Sequence, residues 1–187
     1  MIRIKKANNL QTAKLSARKS LWWLPVVWSA GVLHAQACLV LVPAGIAKGA
    51  ASLELSLDAP PGYAPAAVEW TFQYPSSNTT SLSVDDGPVL SAAGKTAICA
   101  GDRTAYKCLT LGANTKTISN GIMAKVTAVL APGASGPAIS IHNPVAVAPN
   151  GHPIPIVSIV AASSADVSTE CELHQSSKPP LPKKSKE

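Results

Sequence analysis

Between residues 52 and 58 the chain reads SLELSLD, and between 68 and 74 it reads VEWTFQY. Leu53, Leu55 and Leu57 share a parity opposite to Ser52, Glu54, Ser56 and Asp58, and Trp70, Phe72 and Tyr74 oppose Glu69, Thr71 and Gln73 in the same way. A period of two puts each set on one face of a strand, so both segments predict strands with one apolar and one wet face. The stretch NGIMAKVTAVLAPG, residues 120–133, repeats the pattern: Ile122, Ala124, Val126, Ala128 and Leu130 are expected inward, and Met123, Lys125 and Thr127 outward, before Val129 breaks the alternation. A helical period would scatter Lys125 among the apolar positions. Val, Ile and Thr also lose rotamer freedom in a helix, whereas they pack well on a pleated surface.

Similar segments recur at LVLV (39–42), SLSV (81–84), KTAICA (95–100), YKCLTL (106–111), AISIHNPVAV (138–147) and IPIVSIV (154–160). Between the segments stand Pro60-Pro61-Gly62, Pro75-Ser76-Ser77-Asn78, Asp86-Gly87-Pro88, Asn120-Gly121, Pro132-Gly133 and Pro149-Asn150-Gly151, all turn formers. About nine strands at regular spacing, with no helical stretch, predict an all-β antiparallel sandwich or barrel. A hairpin closing around AGDRTA sets Cys99 opposite Cys108, Ile98 opposite Leu109 and Ala97 opposite Thr110, so Cys99 and Cys108 are expected to form a disulfide.

Charge changes the picture at the beginning of the chain. The formal net charge is +6, but six of the sixteen Lys and Arg precede Cys38 while all ten acidic residues follow it, leaving ten against ten. Nucleic acid is therefore not an expected partner. The six early charges lead into LWWLPVVWSAGVL and then Ala35-Gln36-Ala37, the order of a secretory signal peptide over residues 1–37 with a long basic region. The apolar run is short for a bilayer span and contains Pro25. Secretion, or residence in the cell envelope, follows as the expectation. Membrane contact is expected only through an uncleaved leader or through lipid on Cys38, and Ala35-Gln36-Ala37-Cys38 lacks the Leu usual three places before a lipidated Cys.

Residues 38–160 suffice for one domain. From 161 to 187 the chain, AASSADVSTECELHQSSKPPLPKKSKE, has no period and is rich in Ser, Pro and charge, so it reads as a disordered tail. Cys171 lies in that tail, with pairing to Cys38 or an intermolecular bond both open. Export permits disulfides among the four cysteines.

Nothing in the sequence assembles a catalytic site. His142, His152 and His174 lack ligand spacing, and no GxSxG, Cys-His signature or glycine-rich helix-opening turn is present. Asp85-Asp86 alone is a poor calcium site. The expectation is a non-enzyme without metal or cofactor. Sugar-binding sandwiches stack pyranoses on exposed rings, but the wetness of Glu69, Thr71 and Gln73 marks the Trp70, Phe72 and Tyr74 face as core. Asn78-Thr79-Thr80 reads as a turn leading into a strand rather than as a glycan acceptor.

The order SLELSL, VEWTFQYP, SLSVDDGPVL, a hairpin and then NGIMAKVTAVLAPG resembles a cohesin domain, in which an aromatic-ended strand precedes V-x-x-G-P and a late strand reads N-G-x-x-A-x-V. The resemblance covers about residues 39–160. It implies a nine-stranded jelly-roll related to carbohydrate-binding modules, whose usual task is to grip a dockerin on a polysaccharide-degrading enzyme. Cohesins often read Tyr-Asp-Pro where this chain has Tyr74-Pro75-Ser76, and the missing Asp is one that helps bind the dockerin. The expected partner is thus a dockerin-like or other surface protein, with polysaccharide and self-assembly into a surface fibre as alternatives. The expected contacts are the polar-parity residues Glu69, Thr71 and Gln73 together with Lys125 and Thr127, and Asn78 at the rim.

Overall fold

Alternation along the chain becomes two stacked sheets in a computed structural model, which describes residues 36–162 and residue 171. The expected signal peptide falls outside the described residues but for its last two, and the expected disorder of the tail falls outside them beyond Ala162, apart from Cys171. Ten strands form in chain order: β1 (Ala37–Ala47), β2 (Ala50–Asp58), β3 (Ala67–Gln73), β4 (Thr79–Asp86), β5 (Thr96–Gly101), β6 (Ala105–Leu111), β7 (Gly121–Leu130), β8 (Ser140–Val147), β9 (Pro153–Ile154) and β10 (Ile156–Val160). One sheet has the order β10-β1-β2-β7-β4 and the other β5-β6-β3-β8-β9. All pairings are antiparallel except β1 with β10, which is parallel.

The count exceeds nine because the segment expected as one strand over 154–160 divides at Pro155. Proline has no N–H to donate to a ladder. At that residue the chain leaves β8 in one sheet and joins β1 in the other, with the Pro155 carbonyl accepting from the Ala37 N–H at 2.8 Å. Pro88–Ala93 forms a six-residue helix, α1, which was not expected. Pro88 opens it and Gly94, at φ 65°, closes it, while Leu90 and Ala93 turn into the core.

The core is the interior between the sheets. Leu53, Leu55 and Leu57 from β2 meet Val68, Trp70 and Phe72 from β3, and all are at most 3% exposed. Trp70 and Phe72 pack edge to face, with centroids 6.1 Å apart. The register of β7 needs one correction. A bulge opposite Leu55 and Ser56 inserts an extra residue, so Met123 turns inward and is fully buried rather than lying on the wet face.

The motif residues behind the cohesin resemblance have structural duties. A Cβ on Gly87 would collide with the Ile122 and Met123 backbone, so the V-x-x-G-P turn is glycine because β7 passes against it. Asn120 accepts from the Ala59 N–H at 2.9 Å and donates to the Asp58 carboxylate at 3.0 Å and the Ala59 carbonyl at 3.1 Å, fastening the end of β2 to the start of β7.

Candidate functional site

The hairpin of β5 and β6 has the expected register: Cys99 faces Cys108, Ile98 faces Leu109, and Ala97 faces Thr110. Cys99 and Cys108 are joined, with Cα atoms 4.1 Å apart. Cys108 is buried and is the direct cross-strand neighbour of Trp70, so the disulfide packs on the inner side of the sheet. That fixes the parity of both strands. With Cys99, Cys108 and Thr110 inward, the larger side chains Ile98, Leu109 and Leu111 must point out.

They do so as part of an apolar band. Ile98 is 55% exposed, Leu111 43% and Val145 on β8 48%, with Leu109 half-buried. Register places Ile98, Leu109, Glu69 and Val145 in one row across β5, β6, β3 and β8. Four strands put the ends of that row about 15 Å apart. Inside the band Lys107 and Glu69 form an ion pair at 2.8 Å, the only Lys, Arg or His pair with a carboxylate among the described residues. Their side chains are 60% and 32% exposed, so solvent limits the pair to at most about 1 kcal/mol of stability. Its consequence is local: it neutralises two charges within an apolar surface.

A second row, Lys107, Thr71 and His142, borders the first. Ser140 and His142 share a hydrogen bond at 3.0 Å on the edge of that row. Beyond it an open depression of about 500 Å³ is lined by Gln73, Tyr74, Pro75, Thr104, Ala105, Ala138 and Ser140. The Tyr74 hydroxyl donates to the Asp102 carbonyl at 3.0 Å. Burial, followed by the fields of Asp102 and Tyr106, pushes the Tyr74 phenol above its ordinary value, so it remains a neutral donor.

Of the residues expected to bind, Glu69, Thr71 and Gln73 lie together on this outer face. Lys125 and Thr127 do not join them. They project from β7 on the outer side of the other sheet, with Lys125 between Glu54 and Asp85 and Thr127 between Ser52 and Ser83. The expectation of one surface containing both sets fails because β3 and β7 belong to different sheets. Asn78 is half-buried, and its side-chain oxygen accepts from the Ala138 N–H at 2.7 Å, while its backbone oxygen accepts from Ala131. It ties the loop after β3 to the segment before β8. Asp86 is likewise occupied: it accepts from the Thr96 hydroxyl at 2.6 Å and the Ala97 N–H at 2.7 Å, joining β4 of one sheet to β5 of the other.

The residues that sequence reasoning missed are Ile98, Leu109, Leu111 and Val145. Three of them were accessible through the cysteine pairing, since two inward cysteines in facing strands send the intervening leucines and isoleucine outward. Val145 was not, because β8 carries an extra residue at Asn143 and Pro144, opposite the single Trp70 between Glu69 and Thr71 of β3, and this bulge, with Asn143 at φ 49°, resets the parity along β8.

No protein-family model matches the sequence, and no curated protein matches it. Solved structures do resemble the fold. The sixth cohesin of Acetivibrio cellulolyticus scaffoldin B, solved with a mutant Cel5 dockerin, superposes with a TM-score of 0.56 at 14% identity, covering 68% of this chain and 98% of that one. A type I cohesin of Clostridium thermocellum, also solved with a dockerin, gives 0.55 at 9% identity over 67% and 99%. A non-cellulosomal cohesin from the archaeon Archaeoglobus fulgidus gives 0.51 at 11% identity over 73% and 97%. The described β-sandwich therefore has the cohesin fold.

Proposed function

We propose that this chain is an exported, non-catalytic recognition module that binds a protein partner through the outer face of the sheet containing β5, β6, β3 and β8. The observation that carries this reading is the exposed band of Ile98, Leu109, Leu111 and Val145 around the Lys107–Glu69 pair. Apolar side chains with a neutralised polar centre and a polar rim at Thr71, Gln73 and His142 have the composition of an interface core and its surround. Two similar folds were solved in complex with dockerins, which supports a dockerin-type partner here. The two disulfides support a location outside the cytoplasm, in agreement with the leader-like residues 1–37.

Direct polysaccharide binding has less support. Trp70, Phe72 and Tyr74 are in the core and Tyr106 packs against it, which leaves Tyr63, 36% exposed, as the ring available for stacking among the described residues. The test is titration of the purified protein with a panel of isolated dockerin modules, beside sedimentation with insoluble polysaccharides. Saturable one-to-one binding to a dockerin module without polysaccharide retention is expected. Retention on polysaccharide with no dockerin bound would replace the proposal with the carbohydrate-binding reading.

A further inference from the structure

The cysteine that follows Ala35-Gln36-Ala37 stands where an exported chain would receive lipid, as a thioether on its sulfur. That sulfur has one valence to give. In the folded chain it is bonded to Cys171, 133 residues later, with Cα atoms 6.2 Å apart, inside the range a disulfide spans.

The surroundings agree with this use of the sulfur. Leu39 and Leu41 face the main core, so Cys38 and Val40 lie on the opposite, outer side of β1. Register places Cys38 beside Val157 and Val40 beside Ile159 on β10. An outer face with apolar residues on two adjacent strands would ordinarily be exposed, yet Cys38 and Val40 are fully buried and Ile159 is 8% exposed. With Ala161 and Cys171 they make a second small core, separate from the one between the sheets.

We propose that Cys38 is a disulfide cysteine in the exported protein and not a lipid acceptor, and that its bond to Cys171 is a clasp fixing that later residue on the outer face of β1 and β10. The bond forms by thiol–disulfide exchange: the two thiols release two protons and two electrons, and a protein disulfide of the export compartment accepts them and becomes two thiols. A diacylglyceryl thioether on Cys38 excludes this bond and has no room in the closed core. The clasp lies on the outer side of the β10-β1-β2-β7-β4 sheet, so it leaves the outer face of the other sheet uncovered. The assignment holds whether or not that other face docks a partner.

The experiment is to express the full chain with its own leader in a bacterial host that processes lipoproteins, block free thiols at lysis, and map peptides without reduction. The expected product is a Cys38 peptide joined to a Cys171 peptide, lighter by two hydrogens than the two reduced peptides and free of acyl groups. A Cys38 peptide carrying diacylglycerol, blocker on both cysteines, or Cys171 joined to Cys99 or Cys108 would each overturn the proposal. As a second readout, Cys38→Ser and Cys171→Ser should each lower Tm by about 10 °C or more, and the double variant no further, because all three lose one bond. Additive losses would contradict the clasp.

Discussion

Trp70 concentrates the energetics of the sandwich in a single side chain. It is fully buried between the sheets, with Phe72 edge-on to it and the Cys99–Cys108 bond against the neighbouring strand. Replacing it by Ala should cost about 3–5 kcal/mol through lost burial and the cavity left behind. Its indole N–H has no hydrogen-bond partner among the described residues, so Trp70→Phe removes volume without breaking a polar contact and should cost well under half as much. Denaturant unfolding of the two variants checks this, and equal losses would mean that the N–H carries an interaction of its own. At this scale the sequence was most legible where a strand alternates strictly. Leu53, Leu55 and Leu57, like Trp70 and Phe72, are buried as their parity demands. It was least legible at Met123 and Val145, where a bulge exchanges the two faces and leaves no mark in the order of apolar and polar residues.

Elements were legible according to how local their causes are. The β5–β6 hairpin followed from two facing cysteines and a short loop, and its register is the expected one residue for residue. Closing that loop stabilises the fold by about 2–3 kcal/mol relative to the reduced chain. The loop itself depends on Asp102, whose carboxylate accepts from the Thr104 and Ala105 N–H groups at 2.7 and 2.9 Å and from the Thr104 hydroxyl at 2.9 Å. Those bonds, the Thr104 N–H first, hold the Asp102 carboxyl below the usual carboxylate range. A depressed folded pKa means stability that is present above the unfolded value, about 3.9, and lost as pH falls through the folded value. The Tm advantage of wild type over Asp102→Ala should therefore be full near about pH 6 and shrink on acidification below about pH 4. A gap independent of pH would show that the carboxylate charge is not what organises the loop.

Helix α1 and the division of β9 from β10 were not legible for the opposite reason. Six helical residues are too few to show a period, and the exchange of sheets at Pro155 is decided by which neighbour the chain meets, not by its local sequence. Gly87, just before α1, makes the point by mutation. Because β7 backbone occupies the place of its Cβ, Gly87→Ala should be among the most destabilising single changes at a turn, and a Tm within a degree or two of wild type would refute that packing.

At the scale of the whole molecule, topology decides what can act together. Glu69 and Lys125 both looked like wet positions of apolar-faced strands, and they are, but β3 and β7 lie in different sheets and their outer faces look in opposite directions. Strand order is a long-range property, so no local pattern distinguished one surface from two. The cohesin fold then gives the proposed docking face a rigid backing, because the Cys99–Cys108 bond, the Trp70 core and the Asp86 tie between sheets all lie directly beneath or beside it. A partner that covers this face should bury roughly 1,200–2,000 Å² in total, with the exposed apolar residues carrying most of the affinity. The most direct measurement compares calorimetric titrations of a captured dockerin module into wild type, Ile98→Asp and Lys125→Glu, with Tm recorded for each. Binding weakened at least about tenfold by Ile98→Asp, a loss above about 1.4 kcal/mol, and unchanged by Lys125→Glu, at equal Tm, is the predicted result. Binding that survives Ile98→Asp and is abolished by Lys125→Glu would place the partner on the opposite sheet and contradict the account.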